Sequence, residues 1–421
     1  MNKLNVHDVL LIGLFFVCCI FVVFLRTQWS LYFEGESVNS GFSFFGCLSE
    51  LRPCTRILPS ILHSVSEYFA IGVSKLLFWN VAESLFFSGD PDAVIQINER
   101  NPVGTFKYAT VPFIGIFIYI LACLSSVYFF VVKFSDNVFT RYIFFTVLFY
   151  SILGWHPIIV NIFFNFITNF VEWPQYYFLY SEPYKRSDFL SLAFLLFSIH
   201  YLSTKWNGSL LPIAFIAAIA QATFEYLGVV MILTILLRHC LESEKGDYKS
   251  AFYRLFQLAA ASGSGAIVTL ILILIAGNLS GMRLMYDVNS DEVLSLAQLF
   301  LPEHNQRLAI NLESWKILLA ILVTMIAIPA IIGFFAGWLS ALIVGDRCSL
   351  DLGVCRKIAL VSLCVCFGYV VILIIGIFFI HYPSELGRQL MPLATISLIP
   401  FFVAGGGMPK KELVFKLFKK N

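Results

Sequence analysis

Charge is what this 421-residue chain has least of: only 13% of its residues are Asp, Glu, Lys or Arg. A soluble domain carries about 25%, and half of that leaves too little polar surface to cover a water-soluble particle of this size. With 59% hydrophobic residues and a mean hydropathy of +0.84, the chain is expected to be a polytopic membrane protein that has the lipid bilayer as its solvent. The net charge of +2 is uninformative, and no basic block suggests nucleic acid as a partner. There is no internal repeat, no low-complexity segment and no linker, so residues 1–421 are expected to form a single integral membrane domain.

The ten cysteines show no metal-ligand spacing. Cys18, Cys19, Cys123, Cys364 and Cys366 lie inside apolar runs, where they read as small apolar side chains. Cys47 and Cys54 share the first loop and form a disulfide if that loop faces an oxidising compartment. Cys348 and Cys355 flank a short loop expected in the cytoplasm, and so are expected to be thiols. The first apolar run, Val6–Leu25, lacks a small-residue cleavage site and reads as a retained helix rather than a signal peptide.

What the chain has in abundance is aromatic and apolar residues, including 44 Phe. A spanning helix needs about 20 apolar residues. Val6–Leu25, Ala109–Val132, Tyr142–Ile162, Asp188–Leu202, Leu258–Gly277, Ile317–Val344, Ile358–Ile380 and Leu390–Ala404 qualify. Two segments are ambiguous. Ile57–Trp79 is interrupted by His63, Glu67 and Lys75, and Leu210–Leu237 is broken by Gln221, Thr223 and Glu225. Lys and Arg crowd Lys133/Arg141, Arg238–Arg254, Arg347–Lys357 and Lys410–Lys420, which the positive-inside rule assigns to the cytoplasm. Both termini then lie inside, and outer loops run approximately over 27–108, 157–186 and 278–316. Parity allows two versions: Ile57–Trp79 stays at the outer interface and Leu210–Leu237 is a hairpin of two short helices, or Ile57–Trp79 spans and Leu210–Leu237 crosses once; the first is preferred. That choice spares Glu67 and Lys75 from lipid and puts Glu225 near a membrane-embedded turn. Gly263 and Gly265 in ASGSGA read as close helix packing, and His156 and His200 as satisfied polar groups at helix ends.

The outer segments hold the candidate chemistry. In RTQWSLYFEGES, Glu34 and Glu36 follow directly on the first helix; either is a candidate catalytic base, and interfacial carboxylates also mark the water boundary without any such role. In LRPCTRILPS, Arg52 and Arg56 suit phosphate because the planar guanidinium donates two parallel hydrogen bonds; anchoring at headgroup level is the bland alternative. In HYPSELGRQLMPL, Arg388 sits at the mouth of the last helix, placed to hold a lipid phosphate or to snorkel. WPQYYFLYSEPYKR supplies Trp173, Tyr176 and Glu182, and the third outer loop supplies Arg283 and Arg307, a set of rings and polar groups suited to sugars.

LYFEGES, RILPSILHSV and GRQLMPLATISLIP together resemble the GT-C superfamily of membrane glycosyltransferases, whose members place an acid soon after the first helix, interfacial helices in the same loop and an arginine at the start of a late helix. SEPYKRSDFLSLAFLLF is similar to a loop-to-helix entry of such proteins. The size and loop plan look most like the serotype-converting O-antigen glucosyltransferases. The chain departs from the pattern in having Glu-Gly-Glu rather than an adjacent acidic pair. The resemblance implies an all-α transmembrane bundle of about nine to eleven helices with interfacial helices in the outer loops. It implies a bacterial inner-membrane enzyme that moves a hexose such as glucose from a polyprenyl-phosphate donor to a glycan acceptor on the periplasmic face. Glu34 or Glu36 would be the base. Arg388, with Arg52 or Arg56, would bind the donor phosphate. No cofactor or metal is required, because the donor is already activated. A donor-synthesising glycosyltransferase and a flippase are the implied partners. Two rival expectations stand: an O-antigen polymerase working through Arg283 and Arg307, and a lipid-linked oligosaccharide flippase.

Overall fold

The computed structural model describes residues 6–30, scattered positions between 58 and 73, 102–153, 186–243, 248–279, 318–319, 322–344, 352–375 and 391–407. Among these residues almost all the backbone is helical and there is no strand. The helices are α1 (Val6–Ser30), α2 (Pro102–Phe134), α3 (Val138–Leu153), α4 (Arg186–Thr204), α5 (Leu210–Thr223), α6 (Glu225–Glu242) and α7 (Tyr248–Leu279). A π-helical turn, Val323–Ala327, leads into α8 (Ile328–Val344), and α9 (Leu352–Ile375) and α10 (Met391–Gly406) complete the set. Runs this apolar become helices because hydrocarbon offers the backbone no hydrogen-bond partner, and a helix satisfies its own groups locally. Four helices are long and apolar enough to cross a membrane, through Phe117–Phe134, Tyr248–Leu272, Met325–Val344 and Gly353–Ile375. The described positions between 58 and 73 are helical as well.

Contacts near the helix ends give each helix its direction. The Arg141 guanidinium on α3 lies 3.3 Å from the Asp8 carboxylate on α1, and the Tyr142 hydroxyl donates to the His7 carbonyl at 2.9 Å. Between α2 and α3, Asn137 caps α3 by accepting the Phe139 and Thr140 N–H groups at 2.9 and 3.2 Å, a short polar side chain in its usual capping role. The Cys355 thiol of α9 sits 3.9 Å from the Phe134 carbonyl that ends α2. Thr140 and Ser340 join the start of α3 to the end of α8 at 2.9 Å. Arg238 near the end of α6 donates to the Leu202 carbonyl near the end of α4, and Arg254 of α7 donates to the Gly208 carbonyl just before α5. The start of α1, the end of α2, the start of α3, the ends of α4, α6 and α8, and the starts of α5, α7 and α9 therefore share one end of the bundle. Lys133, Arg141, Lys205, Arg238, Lys249, Arg254, Arg356 and Lys357 lie there, and this is called the basic end below.

Small residues let pairs of helices approach to backbone contact, as packing between membrane helices requires when burial of apolar surface no longer drives association. Along α8 and α10, a Cβ added at Gly333 would meet the Leu398 carbonyl, one at Gly337 the Phe402 carbonyl, and one at Gly405 the Phe334 carbonyl. Residue numbers rise together on the two helices, so α8 and α10 run parallel. Along α5 and α7, a Cβ at Gly265 would meet the Ala214 main chain, whereas one at Gly263 would meet nothing. Only the second glycine of ASGSGA makes the close contact. Cys19, Cys123, Cys364 and Cys366 are buried, as expected of apolar fillers, and Cys355 is a free thiol.

Leu210–Leu237 folds as the expected hairpin. Phe224 breaks it with an extended backbone, φ −159° and ψ 140°. Ala214 and Ala218 of α5 face Gly265 and Thr269 of α7 in the same order, so α5 and α7 run parallel. α6 returns to the basic end, where His239 Nε2 lies 3.3 Å from the Ala251 carbonyl of α7.

Candidate functional site

Ten positions were singled out from sequence: Glu34, Glu36, Arg52, Arg56, Trp173, Tyr176, Glu182, Arg283, Arg307 and Arg388. All lie outside the described residues, as do His156 and the Cys47/Cys54 pair. What the structure supplies is the scaffold on either side of them. α1 starts at the basic end and runs away from it, so Ser30, shortly before Glu34 and Glu36, lies towards the opposite end. α10 runs towards the basic end, where Phe402 meets Phe134 with ring centroids 6.0 Å apart. Its first residue, Met391, shortly after Arg388, therefore also lies at the opposite end. The start of α4, which follows Glu182, and the end of α7, which precedes Arg283, lie there too.

α10 is the central helix of the bundle. Every residue from Pro392 to Pro400 is buried, and α3, α4, α8 and α9 all pack against it. It is positioned by polar bonds as well as by packing. Near the end of α3, the Ser151 hydroxyl donates to Thr395 Oγ1 at 2.9 Å. On the other side, the Ser397 hydroxyl donates to the Met325 carbonyl at 3.0 Å. Pro329 takes away the usual partner of that carbonyl: proline lacks the N–H that would have bonded back four residues to Met325, and its ring crowds the same oxygen. The π-helical turn widens the helix just before it, the Ile328 N–H bonding the Val323 carbonyl. Neither the bond nor the pairing of helices shows in a local stretch of sequence, although Pro329 itself marks the place where a partner is needed.

The tip of the α5–α6 hairpin is the second polar locus inside the apolar bundle. The Phe224 N–H bonds the Ala220 carbonyl at 3.0 Å and the Leu227 N–H bonds the Phe224 carbonyl at 3.1 Å, which closes the turn. Glu225 is the first residue of α6. Phe224 and Tyr226 hold their ring centroids 4.4 Å apart, and Tyr226 meets Tyr369 of α9 edge-on at 5.7 Å. Gln221 folds its amide onto Gly228 across the turn, where a Cβ would collide with it. Gly368 of α9 closes on the Val230 main chain in the same way. Gln221 and Tyr226 remain half-buried. The interruption of an apolar run by Gln221, Thr223 and Glu225 signals this turn in the sequence; the pairing of Phe224 with Tyr226, and of Tyr226 with Tyr369, is a signal that composition alone does not carry.

At the base of the hairpin, Arg238 is 7% exposed. It reaches Glu242 Oε2 at 3.0 Å, the Leu202 carbonyl and the face of Trp206, 4.8 Å from the ring centroid. Trp206 in turn donates to the Ser209 carbonyl at 2.8 Å, next to Gly208, whose φ of 91° suits glycine. These groups all satisfy one another, so this end reads as a clasp rather than a reactive centre. His200, one turn before the end of α4, lies 3.5 Å from the Thr204 hydroxyl.

Compared with known proteins, the chain matches no family model, no curated protein and no solved structure.

Proposed function

We propose that the protein is a GT-C-type glycosyltransferase of the bacterial inner membrane. It moves a hexose such as glucose from a polyprenyl-phosphate donor to a polysaccharide or lipid-linked glycan acceptor. The observation that carries the reading is the direction of two helices: α1 ends and α10 begins at the same end of the bundle, opposite the basic end. In this reading the acids that follow α1 and the arginine that precedes α10 work on one side of the membrane. Placing the basic end in the cytoplasm, as the positive-inside rule requires, makes that side the periplasm.

In this reading an acceptor hydroxyl attacks the anomeric carbon of the lipid-linked sugar. Glu34 or Glu36 takes the hydroxyl proton, an effect typically worth about 10²–10⁴-fold. The bond from the anomeric carbon to the phosphate oxygen breaks, and its electron pair leaves with the polyprenyl phosphate. Arg388, with Arg52 or Arg56, holds the negative charge that grows there, and a fixed cation lowers the barrier because the charge is larger in the transition state than in the donor. Trp173, Tyr176 and Glu182 contribute to sugar binding.

The test is transfer from polyprenyl-phospho-hexose by purified protein in lipid nanodiscs. Glu34→Gln and Glu36→Gln, assayed singly, should identify one variant that folds normally and loses at least a hundredfold in rate. Wild-type rates in both would overturn the reading. A loss confined to Arg283→Ala and Arg307→Ala would favour a polymerase instead.

A further inference from the structure

We propose that the ends of α2 and α4 hold an anionic phospholipid of the cytoplasmic leaflet, with Lys133 and Lys205 on its phosphate and Phe129, Phe197 and Tyr201 along its acyl chains. The proposal requires a bundle in a bilayer with its basic end on the cytoplasmic side, and it is independent of the glycosyltransferase reading.

Charge comes first. The cations of the basic end fall into two groups. Arg141 lies 3.3 Å from Asp8 and 3.7 Å from Asp136, Arg238 lies 3.0 Å from Glu242, and Arg254 is taken up by the Gly208 carbonyl and by Gln257. The carboxylates described at this end are thus already engaged with arginines. Lys133, Lys205, Lys249, Arg356 and Lys357 form the second group. All are exposed, and none of them meets a carboxylate among the described residues.

Placement comes second. α2 and α4 run parallel and pack side by side. Lys133 stands in the last turn of α2 and Lys205 just beyond the end of α4. Both act electrostatically on His200, one turn before the end of α4, which gathers the two ammonium groups around one point of the α2–α4 seam. His200 itself is turned to Thr204 Oγ1, 3.5 Å away, and the Thr204 hydroxyl donates to the His200 carbonyl at 2.7 Å. The two lysines are therefore the donors left for a ligand.

Depth decides what that ligand is. Lys133 closes the membrane-spanning stretch Phe117–Phe134, so its ammonium reaches the headgroup level, where a lysine stem lies along apolar surface with its charge in water. Phe129 is one turn deeper on the same face, about 6 Å at 1.5 Å per residue, and is 62% exposed. On α4, Phe197 is 64% exposed and stacks on Tyr201 with ring centroids 6.4 Å apart. Cations at the interface with exposed rings beneath them match the order of a phospholipid, phosphate above and acyl chain below. A soluble anion would have no use for the rings, and a zwitterionic lipid would leave a positive charge uncompensated.

The experiment titrates phosphatidylglycerol or phosphatidylcholine into delipidated full-length protein in zwitterionic micelles and reads bound lipid by native mass spectrometry. A lysine at a membrane surface contributes about fivefold to the attraction for anionic lipid. Phosphatidylglycerol should therefore bind about tenfold tighter than phosphatidylcholine, and Lys133→Gln/Lys205→Gln should abolish that preference. Arg356→Gln/Lys357→Gln removes the same charge from the same end of the bundle and should change the affinity by less than about twofold. Lys133→Arg/Lys205→Arg keeps both charges and should keep the preference. Equal affinity for the two lipids in the wild type, equal losses in the two glutamine variants, or loss of the preference in the arginine variant would each overturn the site. Displacement of the lipid by millimolar inorganic phosphate would show a soluble-anion site instead and overturn the lipid assignment. The replaced lysines are exposed, so the melting temperatures of the variants without added phosphatidylglycerol should equal that of the wild type; a lowered value in Lys133→Gln/Lys205→Gln alone would show that the pair serves the fold and not a lipid.

Discussion

Ser397 of α10 and Met325 of the neighbouring π-helical turn are joined by a side-chain-to-backbone hydrogen bond of 3.0 Å that stands in for one Pro329 removes. The two helices are thus keyed to each other at the point where one of them cannot complete its own backbone ladder. Because both groups are buried, the bond matters more than a surface one would. Ser397→Ala should destabilise the protein by about 1–3 kcal/mol, the usual penalty for a stranded buried acceptor. In a Pro329→Ala background the missing N–H returns, so the same substitution should cost little. Equilibrium unfolding of the four proteins in mixed micelles checks this; equal penalties in both backgrounds would refute the coupling.

The two glycines of ASGSGA should behave differently. Gly265→Ala forces a methyl onto the Ala214 main chain, and Gly263→Ala meets open space. We expect a loss of about 1–3 kcal/mol for the former and a neutral or slightly stabilising effect for the latter, because alanine is the better helix former. Thermal unfolding of the purified variants distinguishes them.

Gly337→Ala should be at least as damaging as Gly265→Ala, since the methyl would press on the Phe402 carbonyl and the Gly406 N–H across the α8–α10 interface. The measurement is the melting temperature, together with the fraction recovered as monodisperse protein. Wild-type values for both would show that these helices are further apart than described.

The clasp at the hairpin base should be asymmetric. Arg238 is buried and serves α4, Trp206 and Glu242 together, so Arg238→Ala is expected to cost about 1–3 kcal/mol by leaving the buried Leu202 carbonyl without its donor and uncovering Trp206. Glu242 is more exposed, and Glu242→Gln should cost no more than about 1 kcal/mol. Arg238→Lys should fall between them, because the ammonium keeps the charge but loses the planar fork and its stacking.

For the proposed chemistry, Arg388 should matter for its shape as well as its charge. Arg388→Ala is expected to lower kcat/KM for the lipid-linked donor by about 10²–10³-fold, with Arg388→Lys recovering only part of it. Steady-state transfer in nanodiscs reads both; wild-type kinetics in Arg388→Ala would remove it from the donor site.

Much of the helical framework was legible in the residues. Met325–Val344 falls within the run Ile317–Val344 read as a span, and Gly353–Ile375 overlaps the run Ile358–Ile380, because hydrocarbon forces each such segment to satisfy its own backbone. The break at Gln221–Glu225 foretold the hairpin for the same reason: a polar interruption deep in an apolar run is tolerated where the chain turns. The ends of elements were less legible. α2 begins at Pro102 rather than near Ala109 and α7 at Tyr248 rather than near Leu258, since a helix continues into the polar interface once the span has nucleated it. The candidate site was legible only as chemistry, an acid, a phosphate-binding arginine and sugar-facing rings spread over loops whose residues lie outside those described.

By itself, then, the sequence determined which apolar stretches are helices, which loops are basic and where Leu210–Leu237 is interrupted by polar residues. All of these follow from local composition acting against a solvent that cannot hydrogen-bond. Only the tertiary structure decided that α10 is the central helix, that Gly265 and not Gly263 touches its neighbour, that Ser397 completes what Pro329 interrupts, and that Tyr369 joins the rings at the hairpin tip. Those are contacts between residues far apart in the chain, fixed by the fit of side chains into one packed interior, and no local pattern encodes which partner a surface will meet.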